Sequence, residues 1–104
     1  MSQKQTVPLE SSVVNALIKW INKQPGCKAQ KTHGSSLRQG TPDILGSWRG
    51  RMLAIEVKRP GSNKVTLLQQ RELEAWAQAG AIAGVAHSLK ELQDIILNEG
   101  GQQD

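Results

Sequence analysis

Residues 40 to 58 read GTPDILGSWRGRMLAIEVK, and this stretch combines two short apolar segments with two carboxylates and an ammonium. The apolar segments begin at Ile44 and Leu53 and are typical of buried strands. Asp43, Glu56 and Lys58 lie inside or beside these segments. A charge in such a position costs several kcal/mol unless it is paired or bound to a metal. The stretch therefore predicts two strands that carry an active site.

Turn residues and side-chain alternation define these strands more closely. Ile44 and Leu45 mark a short strand, and residues 47–50 predict a hairpin turn. The next strand covers residues 51–58, with its odd-numbered apolar residues on one face and Glu56 and Lys58 on the other. Upstream, residues 27–33 alternate weakly and predict a first strand, which the sequence GSS at 34–36 ends.

A helix is predicted on either side of these strands. From Pro8 to about Lys23, apolar residues recur at three- and four-residue spacing, as in an amphipathic helix. Thr66 and Gln69 have the spacing of a capping box, which opens a second helix that ends near Gly80.

A last strand and helix complete the predicted order α-β-β-β-α-β-α. Residues 81–86 predict a strand of small residues, and Ser88 and Glu91 form a second capping-box pattern that opens a helix to about residue 98. This order predicts a single α/β domain over residues 1–104, with a small mixed sheet flanked by helices and loose tails at 1–6 and 100–104.

Composition narrows the class of protein. Lys and Arg outnumber Asp and Glu by 13 to 9, which suits a polyanionic partner and equally suits a merely soluble basic protein. A single cysteine excludes an internal disulfide and a cysteine zinc site. The absence of long apolar runs predicts a cytoplasmic protein without membrane contact, and we expect no organic cofactor.

The charged residues of the opening stretch suit a Mg²⁺ site. Glu56 and Lys58 are two apart on a strand and therefore share a face. If the hairpin closes near Gly50, Asp43 lies opposite Glu56 and supplies a second carboxylate, which is as many as Mg²⁺ usually takes from a protein. The alternative is an exposed Glu–Lys pair, with Asp43 capping a turn after Pro42.

Two further polar residues allow two interpretations each. Glu10 heads the apolar stripe of the first helix, which directs it toward the core, but an acid in a first turn also suits the helix dipole. Gln69 can complete the capping box, or its amide can face the same cleft as Lys58.

Taken together, these motifs resemble a known family. Gly40-x-Pro42-Asp43, twelve residues, Glu56-Val57-Lys58, then Thr66-x-x-Gln69 and Gly80 resemble the VRR-NUC family of the PD-(D/E)XK nuclease superfamily. The chain is similar to the stand-alone, single-domain members of phages and bacteria. The resemblance implies a restriction-endonuclease-like core and a DNA endonuclease that uses Mg²⁺ or Mn²⁺, acting in a bacterial or phage-infected cell.

The resemblance also implies roles for individual residues. Asp43 and Glu56 would be the metal ligands, helped by the main-chain carbonyl of Val57, and Lys58 would position or activate the attacking water. Glu10 matches the acid on the first helix, a possible further ligand, and Gln69 matches the glutamine on the helix after the catalytic strand.

DNA contacts and assembly follow from the same resemblance and from charge. Candidate phosphate-binding residues on loops and strand ends are Lys28, Lys31, Arg38, Arg49, Arg51, Arg59 and Lys64. Trp48, at the hairpin, can stack on a base or pack against a partner subunit. Similarity to Holliday junction resolvases implies a homodimer that prefers branched DNA. The alternatives are a nuclease acting on flaps or linear duplex, and a non-catalytic DNA-binding or assembly module.

Overall fold

Seven elements follow the predicted order. A computed structural model describes residues 8–32 and 39–99; the predicted tails and the predicted break at 34–36 lie outside these ranges. The helices and strands are α1 (Glu10–Asn22), β1 (Cys27–Lys31), β2 (Ile44–Trp48), β3 (Arg51–Val57), α2 (Leu67–Gln78), β4 (Ile82–Ala86) and α3 (Leu89–Glu99). In the described ranges, no helix is both long and apolar enough to cross a membrane.

The four strands form one mixed sheet in the order β1-β2-β3-β4. The first three are antiparallel neighbours, and β4 runs parallel to β3. Parallel neighbours need a crossover connection, which α2 provides. The predicted small mixed sheet of an α/β domain is confirmed.

The β2–β3 hairpin is tighter than the predicted four-residue turn. Trp48 pairs with Arg51, so only Arg49 and Gly50 form the turn, with φ angles of 52° and 91°. Two positive φ angles make the twist of the turn match that of the strands. This turn fixes the register that pairs Ile44 with Ile55.

One face of the sheet carries the main core. Ile55 pairs with Gly84, and a methyl group on Gly84 would lie 3.0 Å from Ile95 of α3, so the odd-numbered residues of β3 face α3. Helix α1 packs on the same side, against α3. The fully or nearly buried apolar residues of this core include Val14, Leu17, Ile21, Ile44, Leu53, Ile55, Val57, Ile82 and Leu92.

The other face is covered by α2, which packs on β3 and β4. Ala54 and Glu56 point to this side because they alternate with Ile55, and both are buried. Helix α2 itself buries one apolar residue, Leu73. The carboxyl side chain of Glu56 therefore lies on the face covered by α2, which buries fewer apolar residues than α1 does.

Candidate metal centre

The hairpin brings Asp43 and Glu56 together. Asp43 directly precedes β2, one step beyond the Ile44–Ile55 pair, and so lies beside Glu56 on the face under α2. Its backbone is fixed by Thr32, whose N–H donates to the Asp43 carbonyl over 2.9 Å. Its side chain is fixed by the Val57 N–H, which donates to Oδ2 over 2.8 Å. The predicted opposition of the two carboxylates therefore holds in the fold.

Glu56 is buried with an incomplete set of partners. The residue is 2% exposed. Its Oε2 lies 3.5 Å from the Lys58 ammonium, but its Oε1 has no hydrogen-bond donor among the described residues. Buried polar atoms are nearly always satisfied, so an unpaired carboxylate oxygen indicates a missing partner. The alternative of an exposed Glu–Lys pair is wrong.

Burial and the nearby charge of Asp43 raise the pKa of Glu56 to about 7. Burial contributes most, followed by the charge of Asp43, while Lys58 acts in the opposite direction. Near neutral pH the pair therefore holds an extra proton for part of the time. A cation would remove the need for this proton, because it would attract both carboxylates.

The structure does not bring Glu10 to this pair. Glu10 is exposed in the first turn of α1, where its charge suits the helix dipole. Among the described residues, no group of three or more acidic, His or Cys side chains is arranged to hold a metal. The described residues therefore bring two carboxylates together rather than three, and a ligand role for Glu10 stays a prediction.

Gln69 completes the capping box of α2. The side-chain Oε1 of Gln69 accepts the backbone N–H of Thr66 over 3.0 Å, and the backbone N–H of Gln69 donates to Thr66 Oγ1 over 3.1 Å. The first of the two interpretations is therefore confirmed. A catalytic role for Gln69, and a ligand role for the Val57 carbonyl, stay predictions.

The candidate DNA-binding residues fall into different settings. Arg59 and Lys64 are exposed in the connection after Lys58, where they flank a shallow depression of about 370 Å³. Arg51 donates from Nε to the Gly80 carbonyl over 2.9 Å and so has a structural bond. Lys28 and Lys31 are exposed on β1, and Arg38 lies outside the described residues.

Trp48 packs within the chain itself. Its ring stacks on Trp20 of α1, with 5.6 Å between centroids, and the Arg49 guanidinium lies 5.3 Å from the centroid of its ring. Neither a base nor a partner subunit is needed to cover this face of the ring. The sequence contained no signal for this contact, because spacing along the chain does not specify how α1 packs on the hairpin.

His87 and Glu91 form a second polar contact that the sequence analysis missed. Glu91 was expected to return to the Ser88 N–H in a capping box. Ser88 Oγ does accept the Glu91 N–H over 3.2 Å, but the Glu91 carboxylate accepts the His87 N–H over 2.8 Å instead. The four-residue spacing of His87 and Glu91 was the available signal.

Comparison with known proteins supports the fold. No family model matches the sequence, and no curated protein matches it. A solved structure described as a VRR_NUC domain protein has a TM-score of 0.72 and 19% identity, covering 96% of this chain and 94% of that chain. A second, described as a VRR_NUC domain, has a TM-score of 0.68 and 28% identity, covering 84% and 92%. The chain has the fold of the VRR-NUC family.

Proposed function

We propose that the protein is a divalent-metal-dependent nuclease that hydrolyses phosphodiester bonds in DNA. The Asp43–Glu56 pair carries this proposal, because the buried Glu56 Oε1 has no hydrogen-bond donor among the described residues and Lys58 lies alongside. The VRR-NUC neighbours support a nuclease domain. The excess of basic residues suits a polyanionic substrate.

The two carboxylates suit Mg²⁺ or Mn²⁺. Both offer hard oxygen ligands, and Mg²⁺ commonly takes one or two carboxylates together with waters. Asp43 and Glu56 would hold the cation, and the Val57 carbonyl would be a third ligand. Such a cation supplies a more acidic water and neutralises charge on the phosphate.

The chain's own groups orient the reaction. The Val57 N–H occupies one oxygen of Asp43 and leaves the other for a ligand. The Lys58 ammonium lies 3.5 Å from Glu56 Oε2, with the side chain 13% exposed, and can donate to a water or a phosphate oxygen. Arg59 and Lys64 are exposed just beyond Lys58, where they would bind the flanking phosphates.

We further propose a homodimer that acts on branched DNA. One chain carries one carboxylate pair, so cutting two strands of a junction requires two copies. A two-fold dimer presents two such sites to a two-fold substrate. Light scattering at micromolar concentration tests this part of the proposal, and a monomer would remove the junction specificity while leaving the nuclease.

The decisive experiment compares labelled four-way junction, flap, duplex and single-stranded DNA, each with Mg²⁺ and with EDTA. We expect cleavage with Mg²⁺ only, and a loss of about a hundredfold or more in Lys58→Ala. The matched control is Lys90→Ala, since Lys90 is an exposed lysine on α3 that pairs with Asp94. If the wild type binds DNA but cuts none of the four, a non-catalytic binding module is the better account.

A further inference from the structure

His87 connects helix α3 to the connection that follows the candidate catalytic lysine. Its Nδ1 lies 2.7 Å from Glu91 Oε1, and its Nε2 lies 2.7 Å from the Ser62 carbonyl oxygen. The side chain of His87 is 23% exposed. The proposed metal centre and the capping of α3 do not account for the Ser62 contact.

The Ser62 end of this contact belongs to a tight turn. The Ser62 N–H donates to the Arg59 carbonyl over 3.1 Å. Pro60 is the second residue of this four-residue turn, and Gly61 is the third, with a φ of 88°. Proline followed by a residue with positive φ is typical of a type II turn. The turn therefore starts at Arg59, directly after Lys58, and its last residue is held by His87.

Both contacts require a protonated imidazole. A neutral ring carries one N–H, so it can donate to Glu91 or to Ser62 but not to both. In either neutral tautomer, a ring lone pair would face an oxygen lone pair at 2.7 Å. Only the imidazolium donates to both oxygens, and one of those bonds is assisted by the charge of Glu91.

We propose that the imidazolium of His87 is a pH-dependent tether, which positions the Arg59–Ser62 turn and with it Arg59 and Lys64 for contact with the DNA backbone. The DNA part of this proposal rests on the proposed function. Deprotonation releases one of the two contacts, so the turn loosens and the two basic side chains are less well placed.

The surrounding charges are consistent with this tether. Hydrogen bonding to Glu91 raises the pKa of His87, and burial opposes it. Asp94, which pairs with Lys90, lies near enough to Glu91 to oppose the lowered pKa of that carboxyl. From α1, the groove beside His87 is lined by residues that do not titrate in this range: Ser12, Val13, Ala16 and Leu17. From the turn side, the charged neighbours are the exposed Arg59 and Lys64.

The sign of the effect follows from linkage. A histidine whose folded pKa is raised stabilises the fold fully below its unfolded pKa, and this contribution is lost as pH rises through the folded pKa. The turn is therefore best held in mildly acidic solution. It loosens as pH rises from the ordinary histidine value through the raised one.

Two measurements on the full chain test the tether. In the first, NMR follows the His87 ring and the Gly61 and Asn63 amides during a pH titration. We expect the amides to shift with the midpoint of His87, and Glu91→Gln to move that midpoint to lower pH. Amides that ignore the His87 titration would overturn the proposal, whether or not the protein binds DNA.

In the second, DNA affinity is measured in EDTA with Glu56→Gln present in every protein, so that neither metal binding, cleavage nor the titration of Glu56 contributes. With His87 intact, affinity should weaken about two- to fivefold as pH rises through the His87 midpoint. His87→Gln keeps an amide donor near the Nε2 position but does not titrate, so its affinity should lack this step. His33→Gln, which changes the other histidine, should retain the step.

The outcomes separate the two proposals. Loss of the step in His33→Gln, or its persistence in His87→Gln, would refute the role of His87 in DNA binding. A wild type that binds no DNA at any pH would refute the proposed function and the DNA part of this inference. The NMR titration would still decide whether His87 holds the turn.

Discussion

Replacing Glu56 with Gln isolates the electrostatic cost of the buried Glu56 carboxylate beside Asp43. Glutamine has almost the same shape but no charge, so the variant resembles the protonated form of Glu56. We expect the metal-free variant to be more stable than the wild type at pH 8, and this advantage to vanish at pH 4. The proposed metal ligand Glu56 would then destabilise its own metal-free fold, as is common at active sites.

The magnitude follows from the pKa of Glu56. The folded state raises this pKa from 4.5 to about 7, which corresponds to roughly 3 kcal/mol at about 1.36 kcal/mol per unit. Because the folded state holds the proton more tightly, wild-type stability falls as pH rises from 4.5 and levels off above 7. Titrating groups distant from Glu56 are common to both proteins and cancel in the difference.

Urea unfolding in EDTA at several pH values between 4 and 8 measures this difference. The control is Glu74→Gln, because Glu74 is an exposed glutamate on α2, and we expect it to track the wild type within about 0.5 kcal/mol. A free-energy difference between wild type and Glu56→Gln that stays flat from pH 4 to pH 8 would refute the reasoning.

Three further substitutions test particular contacts. Asp43→Asn keeps an oxygen for the Val57 N–H but removes a carboxylate. The rate of DNA nicking should therefore fall about a hundredfold or more while the melting temperature is retained. An unchanged nicking rate would exclude Asp43 as a ligand. Glu10→Gln should change the nicking rate less than about threefold, since Glu10 is exposed and apart from the Asp43–Glu56 pair. A loss as large as that of Asp43→Asn would contradict the two-carboxylate centre. Gly46→Ala should cost about 2 kcal/mol or more in urea unfolding, because the new methyl group would lie 2.7 Å from Ala29 Cα. Gly84→Ala is the comparison, since its methyl group would meet only the movable Ile95 side chain, and an equal cost in both variants would show that backbone crowding is not the cause.

Local chemistry made much of the fold predictable from the sequence. The Thr66–Gln69 capping box lies within one helical turn, and the structure contains both of its hydrogen bonds. The meeting of Asp43 and Glu56 was predictable for a similar reason. One hairpin separates them, and the position of its turn determines the register.

The remaining features depend on contacts between distant segments. The stripe on α1 groups Glu10 with apolar residues but does not specify how the helix end sits on the sheet, and Glu10 is exposed. The Trp20–Trp48 stack depends on the packing of α1 against the hairpin. The His87–Ser62 contact joins residues 25 positions apart. The Glu91 carboxylate accepts the His87 N–H in place of the Ser88 N–H, which the local capping-box pattern favours.

The central claim is that Asp43 and Glu56 hold a divalent cation. Titrating Mn²⁺ into the protein at pH 8 and following the electron paramagnetic resonance of free Mn²⁺ tests this directly. We expect the wild type and Glu74→Gln to remove Mn²⁺ from solution equally, and Asp43→Asn and Glu56→Gln to remove far less. Equal Mn²⁺ uptake by all four proteins would contradict the claim.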